Sequence, residues 1–248
     1  MTRYGLIGYP LGHSFSAGYF AEKFKTEGID AEYLNFEIPT AERLSDVVRD
    51  NPTLVGLNVT IPHKQAVIPL LDSLSDEARA IGAVNVIKID RRGARPLLRG
   101  YNADVIGFTR SIQPLLRPCH RAALVLGTGG ASKAVVHGLR QLGLATQYVS
   151  RTPHDGAIGY ADLTPDVMAA HTVVVNCTPV GMYPRVDACP DLPYDLVTPE
   201  YLFYDLIYNP GETCFLRRAA ERGATTKNGL EMLHLQAEAS WDFWHNDD

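Results

Sequence analysis

The segment NVTIPHK, residues 58–64, brings together side chains that can hydrogen-bond a polar ligand and donate a proton. Its apolar residues alternate with Asn58 and Thr60, which is the period of a strand, so an amide and a hydroxyl are predicted to share one strand face. Pro62 ends the strand because proline has no N–H for the sheet ladder. The ammonium group of Lys64 follows two residues later, and the segment therefore predicts a polar site at the end of a strand.

A glycine-rich loop, GTGGASKA at residues 127–134, follows the apolar strand AALVLG and precedes a predicted helix. Gly127, Gly129 and Gly130 permit a tight turn and let backbone N–H groups approach a pyrophosphate at the helix N-terminus. Ser132 stands where the usual dinucleotide fingerprint has its third glycine, and such turns also occur for packing alone. The loop by itself is therefore a weak indication of dinucleotide binding.

The strand after this loop, ATQYVS, indicates which dinucleotide would bind. NAD-binding chains place an acid about 20 residues after the loop, at the end of this strand, to accept the ribose 2′-hydroxyl. This sequence has Ser150, Arg151 and Thr152 there instead. A guanidinium and two hydroxyls can hold a 2′-phosphate, so the pattern favours NADP over NAD. Without the glycine loop upstream, Arg151 would be interpreted as an ordinary exposed arginine.

Further polar side chains follow or interrupt predicted strands in the first half of the chain, where strand ends can meet at one side of a sheet. They are Ser14, Ser16, Asn85, Asn102 and Asp104, with Gln236 on the apolar stripe of the last helix. Each has a structural alternative, because serines after a strand commonly cap a helix, a buried asparagine can satisfy backbone groups, and an aspartate can be an N-cap. Taken singly, only Lys64 favours a function over such a role.

Two series of alternating strands and helices indicate an α/β protein of two domains. In the first series, strands at 4–8, 31–38 and 54–61 alternate with helices near 17–27, 40–49 and 63–71, and a hairpin joins 83–90 to 95–101. The second series begins near Arg121 and includes a helix over 130–142. The last helix, 229–244, has two apolar faces and is expected to return to the first domain. The predicted domains are 1–102 with 226–248, and 103–225.

The composition of the 248 residues, with 46% apolar and 21% charged residues, is that of a soluble globular protein. The net charge of -5 gives no basic surface for nucleic acid. No signal peptide and no run of ~20 apolar residues is present, so we expect a cytoplasmic protein that does not enter the membrane. The four cysteines and eight histidines lack ligand spacing, so neither disulfides nor a metal site is predicted.

Taken in order, the motifs resemble those of the shikimate dehydrogenase family. They are GYPLGHSFSA, NVTIPHK, GAVN, GYNADVIG, GTGGA, NCTPVGM, DLIYNPGET and LHLQA, and they run from Gly8 to Ala237. The resemblance implies an N-terminal substrate-binding α/β domain with a mixed sheet, a Rossmann-like NADP-binding domain, and a cleft between them. It also implies NADP(H)-dependent interconversion of 3-dehydroshikimate and shikimate, a small-molecule reaction of chorismate and aromatic amino acid biosynthesis. We expect a monomer or homodimer, although no sequence feature distinguishes the two.

The resemblance also implies roles for individual residues. Lys64 and Asp104 would act at the reacting carbon. Substrate would be bound by Ser14, Ser16, Asn58, Thr60, Asn85, Gln236 and Tyr208. The cofactor would be bound by Gly127, Gly129, Gly130, Ala131, Ser150, Arg151, Thr152, Thr178, Met182 and Gly229.

The implied chemistry suits a lysine. Reduction of a ketone by hydride builds negative charge on its oxygen, and an ammonium group beside that oxygen can stabilise the charge and donate a proton. Burial lowers the pKa of a lysine, whereas an adjacent carboxylate raises it. The sequence therefore leaves open whether Lys64 moves the proton alone, moves it with Asp104, or mainly positions the substrate.

The chain departs from the family pattern at three places. Ala17 replaces a proline, with Tyr19 and Phe20 where a histidine and an asparagine often follow, so the rim of the site is expected to be shaped differently. Ala103 replaces a threonine, which removes a hydroxyl next to Asp104. Ser150 replaces an asparagine before Arg151, which weakens the argument for strict NADP preference.

Two other functions are compatible with the sequence. One is a quinate/shikimate dehydrogenase that uses NAD or NADP, although the missing acid after the second strand of the nucleotide-binding unit argues against NAD. The other is a non-catalytic NADP-binding sensor. That alternative predicts loss of the reacting pair or of the substrate-binding amides, yet both Lys64 and Asp104 are present, as are the amides.

Overall fold

The structure, a computed structural model, describes residues 1–12, 15–154 and 156–246. The chain forms two compact units, the first from Met1–Ala103 and Gln236–Asp248 and the second from Asp104–Leu235. Each is an α/β unit with one sheet, so the α/β class with two domains is confirmed. Among the described residues, no helix combines the length and the apolar character needed to cross a membrane.

The first unit is built on a six-stranded mixed sheet, which was predicted. Its strands are β1 (Thr2–Gly8), β2 (Ala31–Glu37), β3 (Leu54–Val59), β4 (Ser73–Leu74), β5 (Val86–Asp90) and β6 (Leu97–Tyr101), in the spatial order β2-β1-β3-β5-β6-β4. β1, β2 and β3 are parallel, β5 is antiparallel to β3, and β6 is antiparallel to β5 in the expected hairpin. The carboxyl ends of β1, β3 and β6 therefore meet the amino end of β5 at one edge.

One face of this sheet is covered by aromatic side chains from two helices. The helices of the first unit are α1 (Phe15–Glu27), α2 (Leu44–Asp50), α3 (Asp76–Ile81) and the part of α8 (Leu230–His245) from Gln236 onward. Trp244 of α8 lies against Gly56 of β3, where an added Cβ would come within 2.6 Å of the indole ring. Tyr19 and Phe20, which differ from the family pattern, contribute to this packing, since Tyr19 hydrogen-bonds Glu238 of α8 and Phe20 is fully buried.

The helix expected over 63–71 is not formed, and that prediction was wrong. The segment consists of turns and one short 3-10 turn, Ile68–Leu70. The Lys64 carbonyl accepts a hydrogen bond from the Val84 N–H at 2.7 Å, which engages it outside any local helix. Pro69 has no N–H to donate to a preceding helical turn. A long-range backbone bond therefore replaces the local one at the segment that carries Lys64.

The second unit has a six-stranded sheet in which every strand pair is parallel. Its strands are β7 (Ala122–Leu126), β8 (Ala145–Val149), β9 (Ala157–Ile158), β10 (Val173–Asn176), β11 (Leu202–Asp205) and β12 (Thr225–Lys227). Its helices are α4 (Asp104–Ile112), α5 (Gly130–Gln141), α6 (Pro165–Ala170), α7 (Cys214–Ala220) and the first part of α8.

The strand order β12-β11-β10-β7-β8-β9 reverses direction between β7 and β10. Open α/β sheets bind ligands at the carboxyl ends of strands beside such a reversal. The predicted return to the first unit at residue 226 differs from the observed return at Gln236. The difference arises because β12 pairs with β11 and so keeps the chain in the second sheet.

Candidate active site

The shared edge of the first sheet carries several of the predicted site residues. Thr60 and Lys64 follow β3, Asn85 directly precedes β5, and Asn102 directly follows β6. These strand ends are level, because Asn58 pairs with Val86 and Val86 pairs with Tyr101 in the sheet register. Polar residues that are far apart in sequence are thus brought to one edge. The predicted residue Ser14 lies outside the described residues.

Backbone hydrogen bonds fix the turn that carries Thr60 and Lys64. The Thr60 N–H donates to the Ile7 carbonyl at 2.9 Å, which extends the β1 pairing beyond β3. The Lys64 carbonyl is bound by Val84, the residue before Asn85. The half-buried Lys64 side chain therefore projects from a backbone that is tied to the start of β5.

The amides of Asn85 and Asn102 bridge the ends of β5 and β6. Asn85 Oδ1 accepts the Ala103 N–H at 2.6 Å, and Asn102 Nδ2 donates to the Ala83 carbonyl at 2.9 Å. All four residues are buried. The Ala103 departure leaves this link intact because the bond uses the backbone, and the bond holds the residue directly before Asp104.

Asp104 begins α4 and is buried. Burial raises the pKa of the Cys177 thiol, and the negative charges of Asp205 and Asp104 raise it further. Cys177 directly follows β10, so the Asp104 carboxyl lies within electrostatic reach of the carboxyl end of that strand. The aspartate is therefore placed near the carboxyl end of β10 in the second sheet.

Asn58 is engaged within the protein. Its Oδ1 accepts the Tyr33 hydroxyl at 2.8 Å and its Nδ2 donates to Ser240 Oγ at 2.9 Å, and only 5% of the residue is exposed. Ser240 Oγ in turn donates to the Gln236 carbonyl at 2.7 Å. Because both amide groups have protein partners, the geometry favours a positioning role for Asn58 over a direct contact with a ligand.

In the second unit, Gly127 and Gly129 are needed for different reasons. Gly127 has a φ of 97°, and a Cβ there would lie 3.0 Å from Thr178 Cγ2. Gly129 is extended, with a φ of -78°, and a Cβ there would meet no protein atom within 4 Å. α5 begins at Gly130, and its N-cap has no side-chain hydrogen bond. The open space above a helix N-terminus without a capping side chain fits a pyrophosphate.

Alanine substitution should separate these two glycines. Gly129→Ala is expected to leave thermal unfolding unchanged and to raise the Kd for NADP by roughly tenfold or more, because the methyl group occupies the ligand's space. Gly127→Ala is expected to lower the free energy of unfolding by about 1–2 kcal/mol, because alanine is strained at positive φ. Differential scanning calorimetry and cofactor titration measure both effects. Equal NADP affinity in Gly129→Ala and wild type would contradict the pyrophosphate site.

The end of β8 carries the residues predicted to bind the adenosine phosphate. Ser150 Oγ accepts the Thr152 N–H at 3.3 Å, so the serine that replaces the family's asparagine still closes the turn. Arg151 is exposed, and its positive charge opposes the rise that burial causes in the pKa of Tyr160. The guanidinium thus lies beside this strand end, free of any role in the core.

A buried network joins the ends of β10 and β11. Asn176 Oδ1 accepts the Thr178 hydroxyl at 2.7 Å, and Asn176 Nδ2 donates to Asp205 Oδ1 at 3.0 Å. Asp205 also accepts the Ile207 N–H at 3.0 Å and the Thr213 hydroxyl at 2.6 Å. Sequence reasoning missed Asn176, Asp205 and Thr213, although they stand in the NCTPVGM and DLIYNPGET motifs. Through them Thr178 is held at the strand ends.

The Asp205 carboxyl makes the stability of the second unit depend on pH. Burial raises its pKa from 3.8 to about 6, while hydrogen bonds from Thr213, Ile207 and Asn176 oppose the rise. A carboxyl with a higher pKa in the folded state than in the unfolded state favours folding while it is protonated. Its contribution is therefore complete below about pH 4 and is lost as the pH rises through about 6.

Asp205→Asn removes this titration. Between pH 4 and pH 7, the free energy of unfolding of wild type is expected to fall by up to about 3 kcal/mol relative to that of Asp205→Asn, since one pH unit corresponds to ~1.4 kcal/mol. Urea unfolding followed at several pH values measures the difference. If the two free energies of unfolding differed by the same amount at every pH in this range, the raised pKa of Asp205 would be contradicted.

The remaining predicted cofactor-side residues lie in varied settings. Met182 is 46% exposed and Tyr208 is 37% exposed, on the segments after β10 and β11. Ala131 lies in the first turn of α5. At Gly229 an added Cβ would lie 2.1 Å from the Leu206 carbonyl oxygen, so this glycine lets two backbone segments approach. Among the described residues, no group of His, Cys, Asp and Glu side chains could hold a metal ion.

A mixed-sheet unit with polar strand ends and a parallel-sheet unit with a glycine-rich loop define a two-domain α/β protein of the dinucleotide-binding type. Residues 6–87 match the family model of the shikimate dehydrogenase substrate binding domain. The chain is 37% identical to the shikimate dehydrogenase (NADP(+)) of Desulforamulus reducens, over 97% of this chain and 88% of that protein. The chain belongs to the shikimate dehydrogenase family, and the resemblance inferred from its motifs is confirmed.

Solved structures of similar proteins agree with this assignment. The shikimate 5-dehydrogenase of Thermus thermophilus in complex with NADP(H) and shikimate has a TM-score of 0.85 and 32% identity, over 99% of this chain and 94% of that chain. A chorismate mutase/shikimate 5-dehydrogenase fusion protein from Clostridium acetobutylicum has a TM-score of 0.86 and 38% identity, over 98% and 90%. The similarity therefore extends over both units of the chain.

Proposed function

We propose that this chain catalyses the reversible NADPH-dependent reduction of 3-dehydroshikimate to shikimate, a step of chorismate and aromatic amino acid biosynthesis. The observation that carries the proposal is the level edge of the first sheet, where Thr60, Lys64 and Asn85 come together in a chain of this family. Relatives named shikimate dehydrogenase (NADP(+)) match this chain over nearly their whole length, which supports the same activity here.

The first unit binds the substrate. Ser14 and Ser16 hold the side of the carboxylate, and Thr60, Asn85 and Gln236 hold the hydroxyl groups, with Tyr208 as a further substrate residue. The Lys64 ammonium lies beside the ketone oxygen, where it stabilises developing negative charge and delivers the proton. Asp104, which begins α4, acts with Lys64 at the reacting carbon.

The second unit binds NADP(H), which when bound supplies or accepts the hydride. The glycine loop presents its backbone N–H groups and the N-terminus of α5 to the pyrophosphate. Arg151, with Ser150 and Thr152, holds the 2′-phosphate, because a guanidinium forms charge-assisted hydrogen bonds with phosphate oxygens. Thr178, Met182 and Gly229 border the nicotinamide.

Initial rates of cofactor reduction test this proposal, with shikimate and quinate each offered together with NADP and NAD. Shikimate with NADP is expected to give the highest kcat/KM. Equal or faster turnover of quinate or of NAD would favour the broader quinate/shikimate dehydrogenase. Absence of turnover with every pair, in protein that still binds NADP, would favour the non-catalytic sensor.

The remaining expectations belong to the same proposal. The protein is expected to act in the cytoplasm as a monomer or homodimer without a nucleic acid partner, in keeping with its net charge of -5. Sedimentation equilibrium over a range of protein concentrations determines the oligomeric state. A mass above that of a dimer would contradict this part of the proposal.

A further inference from the structure

A continuous chain of side-chain hydrogen bonds runs through the first unit beneath the candidate substrate site. It begins at Tyr33 on β2, and Ser16 of α1 lies near the Tyr33 hydroxyl, where its side chain opposes the rise that burial causes in the Tyr33 pKa. Tyr33 donates to Asn58 on β3, and Asn58 donates to Ser240 on α8. Ser240 in turn donates to the backbone carbonyl of Gln236. The chain thus leads from the neighbourhood of Ser16 to Gln236, two residues proposed to bind substrate, through three residues that do not require contact with it.

The Tyr33 hydroxyl can both donate and accept a hydrogen bond within this chain. A hydroxyl group is both a donor and an acceptor. Its hydrogen goes to Asn58 Oδ1, and its oxygen remains able to accept from Ser16. Burial raises the pKa of Tyr33, so the hydroxyl keeps its proton at neutral pH.

The ring of Tyr33 is fixed independently of its hydroxyl. It stacks on Phe20 with 4.9 Å between ring centroids and an interplanar angle of 10°. Phe20 is fully buried and lies in the same helix as Ser16. Removal of the hydroxyl alone is therefore expected to leave the packing of α1 on the sheet in place, while it leaves the Asn58 carbonyl without its donor.

We propose that Tyr33, which lies beside Ser16, is a positioning residue for substrate binding and sets the Gln236 turn of α8 through Asn58 and Ser240. The inference rests on the proposed function, because it takes Ser16 and Gln236 as substrate ligands. It assigns Asn58 and Ser240 to the same relay. Tyr33 shapes the affinity for the polyhydroxylated acid and has no part in holding the cofactor.

Tyr33→Phe tests the inference because it is expected to change the KM for shikimate and not the KM for NADP. The variant is expected to raise the KM and the calorimetric Kd for shikimate by roughly tenfold, the size of one lost hydrogen bond to a buried group. The KM for NADP is expected to stay within about twofold, since the relay lies within the first unit. A merely structural role would lower thermal stability without this difference between the two KM values.

The matched control is Tyr4→Phe. Tyr4 is buried in the same unit and in the same aromatic group, and its hydroxyl also makes one hydrogen bond, to His245 Nε2 at 3.1 Å. The Tyr4→Phe variant removes the same hydroxyl group from a tyrosine of the same unit, so it reports the cost of a lost tyrosine hydroxyl as such. Its KM for shikimate is expected to equal that of wild type.

Ser240→Ala and the double variant Tyr33→Phe/Ser240→Ala test the route through Asn58. Ser240→Ala is also expected to raise the Kd for shikimate. The fold-increase in the double variant is expected to be smaller than the product of the two single fold-increases, because both substitutions act on Asn58. Strictly multiplicative effects would overturn this route. Identical shikimate KM values in Tyr33→Phe and Tyr4→Phe would overturn the proposal.

The failure of the proposed function gives a different result. Wild-type protein that binds shikimate without oxidising it would refute the function, and the calorimetric comparison of Tyr33→Phe with Tyr4→Phe would still decide the positioning role. Wild-type protein that neither binds nor oxidises shikimate would overturn both proposals.

Discussion

Replacement of Lys64 by alanine is expected to lower kcat for shikimate oxidation by about 10³-fold while the Kd for NADP stays unchanged. The substitution removes the proposed source of the proton and of positive charge beside the substrate oxygen. The backbone of the turn does not depend on the side chain, because the bond between the Lys64 carbonyl and the Val84 N–H remains. A folded protein that binds cofactor and lacks turnover is therefore the expected result.

Lys88→Ala is the control for this substitution. Lys88 lies in β5 of the same sheet, is also partly buried, and bonds the Asn246 carbonyl near the C-terminus. Its removal is expected to leave kcat within about twofold of wild type. Steady-state kinetics and cofactor fluorescence titration on both variants make the comparison. Near wild-type turnover in Lys64→Ala would remove Lys64 from the mechanism.

Replacement of Arg151 by alanine is expected to raise the KM for NADP by about 10- to 100-fold and to leave the KM for NAD unchanged. Hydrogen bonds to charged groups contribute about 1.5–3 kcal/mol, and only NADP carries the 2′-phosphate that this guanidinium would bind. Arg151 is exposed, so its removal opens no cavity in the core. The expected signature is thus a change in the ratio of the two cofactors without a change in stability.

Arg140→Ala separates this effect from a general loss of positive charge. Arg140 is also exposed on the second unit, near the end of α5, where its Nε donates to Thr146 Oγ1 at 3.1 Å. Initial rates with both cofactors, at saturating shikimate, measure the two preferences. If Arg151→Ala weakened NADP and NAD equally, the guanidinium would act on a part common to both cofactors, and the assignment to the 2′-phosphate would fail.

Sequence alone was sufficient for features that depend on neighbouring residues. The alternation around Asn58 and Thr60 predicted β3, which the structure places at Leu54–Val59. The hairpin of β5 and β6 and the strand, loop and helix around Gly127 also follow from strand periodicity and glycine turns. The α/β class and the family were predicted from such local patterns and are confirmed.

The tertiary structure decided where the buried polar groups find their partners. Asn58 and Ser240 are 182 residues apart and hydrogen-bond each other, while Asn176 and Asp205 join the ends of two strands. The turn at Lys64 replaced a predicted helix because its carbonyl binds Val84 from a distant segment. Local sequence contains no signal for such bonds, because a buried polar group is satisfied by whatever the fold brings beside it. The types of the site residues were therefore readable from the sequence, and their division into candidate ligands and positioning residues required the fold.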